Sequence, residues 1–294
     1  MRKALLAALM LGSAAVAPAK QLDLANSDDA LTVYRKTQCS TEDSKPVVYR
    51  WQGRAFSRVT GEPDRLLFGL EGMNIRQCVT INDPVRGRGF RQVSREIMLY
   101  LDPKTGAVLR QWSNPWTGET VDVIQVANDP VNMRAPMFPR GQDGKPFAFP
   151  GRVEGGYLFM PTEVPLFYEN ALGGQYQDYV GGKYQAMEIF DFVARADRIL
   201  DPKTKTGDPA IAWVRVAQWL PWMKMRGREG QMIFNATGRM LASYDELPAV
   251  MKSEIATNYP AYTAPPPVDD QRPNETSWTY FKKKLRPDSQ PGRK

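Results

Sequence analysis

The chain has 294 residues, a formal net charge of +7 and no histidine. Without imidazole there is no Ser–His or Cys–His nucleophile pair, no His-ligated zinc or non-haem iron, and no general base of the commonest kind at neutral pH. Any catalysis must rest on carboxylates, Tyr, Lys, Arg, an oxygen-ligated metal or positioning alone.

Residues 1–19 read as a secretory signal peptide. Met1-Arg2-Lys3 is a positive start, residues 4–17 are apolar but too few to span a bilayer, and Ala17-Pro18-Ala19 has the small-x-small form of a cleavage site. This predicts a periplasmic or secreted protein that is not transmembrane; an uncleaved anchor is the alternative. The positive charge is concentrated at the ends: Arg2 and Lys3, then Lys282, Lys283, Lys284, Arg286, Arg293 and Lys294. The body between is near neutral, which argues against nucleic-acid binding. The basic segment 277–294 is expected to end in a disordered tail capable of weak contact with an anionic surface.

In chain order, Asn26 or Ser27 caps a short helix running to about Lys36. Residues 46–58 alternate as a strand, with Val47, Tyr49 and Trp51 on one face. Further strands are expected at 65–69, 74–81, 91–101, 108–113, 119–127, 157–161 and 184–195. Turns are read at Asp102-Pro103-Lys104-Thr105-Gly106, Asn114-Pro115-Trp116-Thr117-Gly118, Asp201-Pro202-Lys203-Thr204 and Asn235-Ala236-Thr237-Gly238. Residues 134–156, rich in Pro and Gly, form a long loop over a mouth or a linker. Residues 164–172 suit a short helix. Asp245 caps a helix to about Asn258, residues 259–273 make an extended strap, and residues 277–285 form a helix or strand with Trp278 and Phe281 on one face. Short strands between such turns predict an all-β fold, an antiparallel barrel or barrel-like sandwich, in a single β-rich domain over 20–276 with a few short helices near the end.

Several residues bear on chemistry. Cys39 and Cys78 are a candidate disulfide in an oxidising compartment; two buried thiols are the alternative. Gln125 shares a strand face with Val121 and Val123, so it either caps backbone inside the sheet or faces a ligand. Glu96 lies with Met98 and Tyr100, and Glu188 with Phe190 and Phe192. A carboxyl on an apolar face is either paired with an Arg (Arg91, Arg95, Arg195 and Arg215 are available) or has a pKa raised into the range of a useful acid or base. Trp219-Leu220-Pro221-Trp222-Met223, with Trp112 and Trp116, lines a lipophilic pocket or packs a core. Asn128-Asp129-Pro130-Val131-Asn132 is rich in oxygen, but an Asx-type turn explains it without calcium. No metal spacing, phosphate loop, nucleophile elbow or dinucleotide fingerprint is present, and no cofactor is expected.

Six blocks together resemble one bacterial family, the domain of unknown function 1838. They are Phe68-Gly69-x-Glu71-Gly72-x-Asn74, the Asp102 turn, Asn114-Pro115-Trp116-Thr117-Gly118-Glu119, Asn128-Asp129-Pro130-Val131-Asn132, Trp219-Leu220-Pro221-Trp222-Met223 and Ser277-Trp278-x-x-Phe281. The resemblance covers roughly residues 28–283. It brings no established activity. It implies a His in many members where Gln125 stands, so acid–base work at that position would not be shared by this chain.

The leading functional reading is a secreted barrel that binds a small lipophilic molecule. Its walls would come from Trp112, Trp116, Trp219, Trp222 and Met223, with Gln125 and one of Glu96 or Glu188 as polar contacts. The second is a cofactor-independent lyase, isomerase or hydratase using a buried Glu with Tyr or Arg. The third is an envelope interaction protein that makes contact through its basic tail.

Overall fold

The computed structural model describes residues 20–168, 184–225 and 227–285. The signal-peptide reading, residues 169–172 of the expected short helix and the last nine residues of the basic tail lie outside the described residues.

Helix α1 (Ser27–Gln38) begins where Asn26 Oδ1 accepts from the amides of Asp28 and Asp29. This satisfies two of the four donors orphaned at a helix start. The strands follow as β1 (Val47–Arg58), β2 (Arg65–Asp83), β3 (Gly87–Leu101), β4 (Gln111–Ser113), β5 (Thr120–Asp122), β6 (Val126–Asn128), β7 (Arg152–Glu154), β8 (Tyr157–Tyr168), β9 (Tyr184–Arg195), β10 (Ala210–Ala217) and β11 (Gln231–Leu241). Helix α2 (Ala196–Ile199) follows β9, α3 is Ala249–Asn258 and α4 is Ser277–Leu285. Nine strands form one antiparallel sheet in the order β6-β3-β2-β1-β11-β10-β9-β8-β7, and β4 and β5 make a separate hairpin.

The sheet does not close into a barrel: β6 and β7 are its edges, and no ladder joins them among the described residues. It is nevertheless strongly curled. In a flat sheet β3 and β9, five strand spacings apart, would be separated by roughly 24 Å. Here the charge of Glu188 on β9 acts on Glu96 of β3, and Phe192 of β9 packs 6.1 Å from Tyr49 of β1, centroid to centroid.

The curl separates two faces. The convex side of β1, β2, β3 and β11 is covered by α3 through Met251 and Ile255, which pack on Val48, Met73, Ile75, Ile97 and Leu99. The expected strap crosses it too: Gln77 donates to Pro266 O, Arg95 to the carbonyls of Ala261 and Ala264, and Arg91 to Asp270 O. The Asn-Asp-Pro-Val-Asn block anchors that strap. Asn132 Oδ1 accepts from Ser94 N, its Nδ2 donates to Asp270 O, and Asp129 pairs with Arg95 and Arg272. Asn132 Oδ1 and Asp129 Oδ1 are therefore used within the chain.

Four sequence expectations change. Residues 65–69 and 74–81 are one strand, because the glycine between them is required by packing: a Cβ on Gly72 would stand 2.1 Å from the Trp51 ring. Residues 235–238 are mid-strand in β11, between β1 and β10, and form no turn. Residues 164–168 continue β8 and are not helical; Pro161 and Pro165 are tolerated because β7 pairs only with Tyr157, Leu158 and Phe159, which leaves that edge of β8 without a ladder. Asp245 does not cap α3. The helix begins after Pro248, and Glu246 accepts from Ala242 N and pairs with Arg239.

Cys39, ending α1, is bonded to Cys78 on β2, with Cα atoms 6.1 Å apart. Helix α4 is seated by Trp278 and Phe281, which are 3 % and 2 % exposed, so residues 277–285 pack into the core and do not belong to a free tail.

Candidate functional site

The strand register fixes which side chains enter the concave face. Tyr49 and Trp51 of β1 stand beside Asn74 and Gly72 of β2, which stand beside Glu96 and Met98 of β3; Asn128 of β6 lies next to Glu96. On the other side Trp213 and Arg215 of β10 lie beside Phe190 and Glu188 of β9. Alternation adds Arg76 and Tyr184 to the same face.

Each end of the concavity is closed by apolar groups. At one end Tyr34 of α1 packs on Phe90 and Phe147, the latter from the Pro/Gly-rich loop. At the other, Trp222 stands 5.6 Å from Phe68, 5.5 Å from Tyr100 and 6.1 Å from Trp112, while Trp116 lies 5.0 Å from Trp219. A polar belt lies between them: Asn74, Arg76, Glu96, Asn128, Glu188 and Arg215.

The belt is incompletely paired. Arg215 donates to Glu188 (Nη1 to Oε1, 3.0 Å) and to the Tyr184 hydroxyl (Nη2, 2.9 Å). Burial works against its charge, but Tyr184 and Glu188 outweigh that and hold it cationic. Among the described residues Glu96 has no guanidinium contact, and its one hydrogen bond there comes from Asn128 Nδ2 at 3.5 Å. Burial first, then the nearby Glu188 carboxylate, push Glu96 up to about 7, against the opposing effects of Arg215, Arg76 and Asn128. Four buried polar atoms on this face have no hydrogen-bond partner among the described residues: Trp51 Nε1, Trp213 Nε1, Arg215 Nε and Asn128 Oδ1. Buried polar groups are paired in the great majority of cases, and leaving one unpaired costs about 1–3 kcal/mol. Four on one concave face is a concentrated exception.

The face is not sealed. Thr162, Val164, Leu166, Glu188, Phe190 and Phe192 are only half-buried. A cleft of about 1020 Å³ lies beside the belt and includes none of its residues; it runs between Arg58, Glu62, Leu166, Ala186, Ala217 and Gly230, with Ala186 and Ala217 one inward position along from Glu188 and Arg215.

The residues singled out in the sequence are distributed differently. Glu96 and Glu188 are brought together on the concave face. Trp219, Trp222 and Met223 are buried in the closing cluster, with Trp112 and Trp116 packed against it. Trp116 Nε1 is taken by Glu62 (2.9 Å) and Trp219 Nε1 by Arg228 O (2.9 Å). Asn114 holds this cluster in place: its Oδ1 accepts from Trp116 N and Thr117 N, and its Nδ2 donates to Met223 O.

Gln125 is 4 % exposed, but it is not on a continuous strand. The chain leaves the ladder between β5 and β6, and the Gln125 amide takes the place of backbone there, accepting from Tyr100 N (2.7 Å) and donating to Leu109 O (2.7 Å). With Trp222, Lys224, Tyr259 and Phe281, it also borders a separate hollow of about 450 Å³.

In the sequence, Arg76, Trp51 and Trp213 carry no site signal of their own, Asn74 stands only in a family-like block and Asn128 only in the oxygen-rich Asn-Asp-Pro-Val-Asn turn. Polar Asn74 and Arg76 alternating with apolar Met73 and Ile75 was the available signal. Among the described residues no group of three or more Cys, Asp or Glu could hold a metal, and no helix is long and apolar enough to cross a membrane.

Neither curated proteins nor solved structures give a match to this chain. One sequence family does, over residues 44–285, a span that holds the whole polar belt and its closing cluster. The chain belongs to that family, described as Protein of unknown function (DUF1838).

Proposed function

We propose that the curled sheet takes a small molecule into its concave face and that Glu96 exchanges a proton with it, as a cofactor-independent lyase, isomerase or hydratase would require. The observation that carries this reading is the coincidence on one face of four buried polar atoms unpaired among the described residues with a carboxyl that has no ion partner there. The indole N–H groups of Trp51 and Trp213 and Arg215 Nε are donors for a ligand oxygen. Negative charge collecting on that oxygen would be stabilised by donors already in place, and a Glu titrating near neutrality is suited to give or take the proton. The cleft at Leu166, Ala186 and Ala217 supplies the route in. Secretion to the periplasm or beyond is part of the proposal, supported by the signal-like residues 1–19 and by the Cys39–Cys78 bond.

A second reading, carriage of a lipophilic molecule without chemistry, rests on the hollow bordered by Gln125 and Trp222.

The indole N–H signals of the seven Trp residues separate the two. Assigned by single Trp→Phe variants, they are followed while a fragment set of carbonyl, hydroxyl and carboxyl compounds is added. The first reading predicts hits that shift Trp51 and Trp213 together. Hits that shift Trp222 alone favour the second reading, and a set that shifts none contradicts both.

A further inference from the structure

Among the described residues Arg76 is a cation without an anion. Its Nε donates to Asn74 Oδ1 at 2.8 Å and its Nη1 to Gln38 Oε1 at 3.1 Å, and the guanidinium stands 4.8 Å over the Tyr49 ring. All three partners are neutral. Its Nη2 has no hydrogen-bond partner among the described residues, and no carboxylate there lies within ion-pair distance. Guanidinium groups are suited to planar, two-oxygen acceptors. Diagonally across the sheet, Glu96 has no cationic contact among the described residues either, although the two side chains influence one another's charge. Arg215 is already engaged by Glu188.

We propose that the ligand of this face is a small organic monocarboxylate on an aromatic or cyclic body, with Arg76 Nη2 as its ion partner. The proposal rests on the concave face being the ligand site, and it names the class of ligand.

The charges on the face fit this class. Arg76 and Arg215 oppose Glu188 and Glu96. With Glu96 protonated the face carries one net positive charge, which a monoanion neutralises. A protonated Glu96 also gains an acceptor, since its O–H can donate to the second carboxylate oxygen of the ligand. Ionised, it would repel that oxygen. The charged groups facing Glu96 are Arg76, Glu188 and Arg215, with the hydroxyls of Tyr34, Tyr49, Tyr100 and Tyr184 around them. For the body of the ligand, Phe190 stacks between Phe192 (6.2 Å) and Trp213 (6.4 Å), an apolar surface one inward position from Glu188.

Benzoate and its neutral counterpart benzamide are the probes, with binding to the intact protein read from the Trp51 and Trp213 indole signals at pH 6 and pH 8.5. Benzoate is expected to bind at least tenfold more tightly than benzamide at pH 6. Its affinity should fall by about tenfold to thirtyfold on going to pH 8.5, because binding requires a proton on a group that titrates near neutrality. In Glu96→Gln the benzoate affinity should become flat with pH, and in Arg76→Gln the preference over benzamide should disappear.

Equal binding of the two probes, or a pH dependence that survives in Glu96→Gln, overturns the proposal. If Arg76→Gln fails to fold, the comparison of the two probes in the unaltered protein decides. Neutral fragments that shift both indoles while benzoate does not would end the carboxylate proposal and leave the site itself standing. Loss of all fragment binding would end both.

Discussion

Replacing Arg215 by Met is expected to destabilise the protein by about 1–3 kcal/mol at pH 8, the usual cost of leaving a partly buried, hydrogen-bonded group without its partner. Arg215 donates to Glu188 and Tyr184 and also lowers the pKa of Glu96 by its charge. Met fills much of the same volume, so the loss is chiefly electrostatic. With Arg215 gone, Glu96 is pushed higher still and resists ionising at pH 8. The defect should therefore shrink as the pH is lowered and Glu96 takes up its proton. Urea unfolding at pH 5.5 and pH 8 measures both values. A defect of equal size at both pH values would mean that Arg215 acts by packing alone.

Glu96→Gln carries the opposite sign. A carboxyl whose folded pKa lies above its unfolded value favours the folded state only in its protonated form. Below the unfolded value of 4.5 both states are protonated and there is no effect. Between 4.5 and about 7 the folded state loses relative stability, and above about 7 the full cost is present. That cost is about 3 kcal/mol, since one pKa unit corresponds to about 1.4 kcal/mol. Gln has the shape of the neutral form and does not ionise, so Glu96→Gln is expected to be more stable than the parent at pH 8.5 by up to about 3 kcal/mol and equal to it at pH 4. Parallel unfolding curves at the two pH values check this. A residue that lowers stability at neutral pH and serves no structural partner is what a functional site requires.

Much of this arrangement can be read in the sequence, and the remainder has definable reasons. The strand at residues 46–58 and the Asp102 turn follow from local rules, since alternation and turn residues act over a few positions. In the turn, Asp102 Oδ1 accepts from the amides of Lys104 and Thr105, and Gly106 takes φ 73°. Glu96 and Glu188 stand out because each is an acid on an apolar strand face. That they share one face is not legible. It depends on the curl of the sheet and on a register carried across five ladders, neither of which is a local property. The same holds for Arg76, whose partners Gln38 and Asn74 lie on different elements.

Gln125 shows the converse. Its place among valines suggests a pocket wall, but the chain breaks its strand there and uses the side chain as a substitute for backbone, joining Tyr100 to Leu109. The tryptophans near 112–116 and 219–222 are dense enough to suggest a lipophilic lining. Their ring-to-ring packing closes one end of the concavity, whereas the fully buried indole N–H groups without a partner among the described residues belong to Trp51 and Trp213, each the one Trp of its strand.

Glu96, inside the curled sheet, is expected to titrate near neutrality. Carboxyl carbon NMR of protein labelled at Glu, compared between the parent and Glu96→Gln, tests it directly. One Glu resonance with a midpoint at about 7 is expected, and it should be missing from the variant. A spectrum in which every Glu titrates close to the ordinary value of about 4.3, Glu96 included, would contradict it.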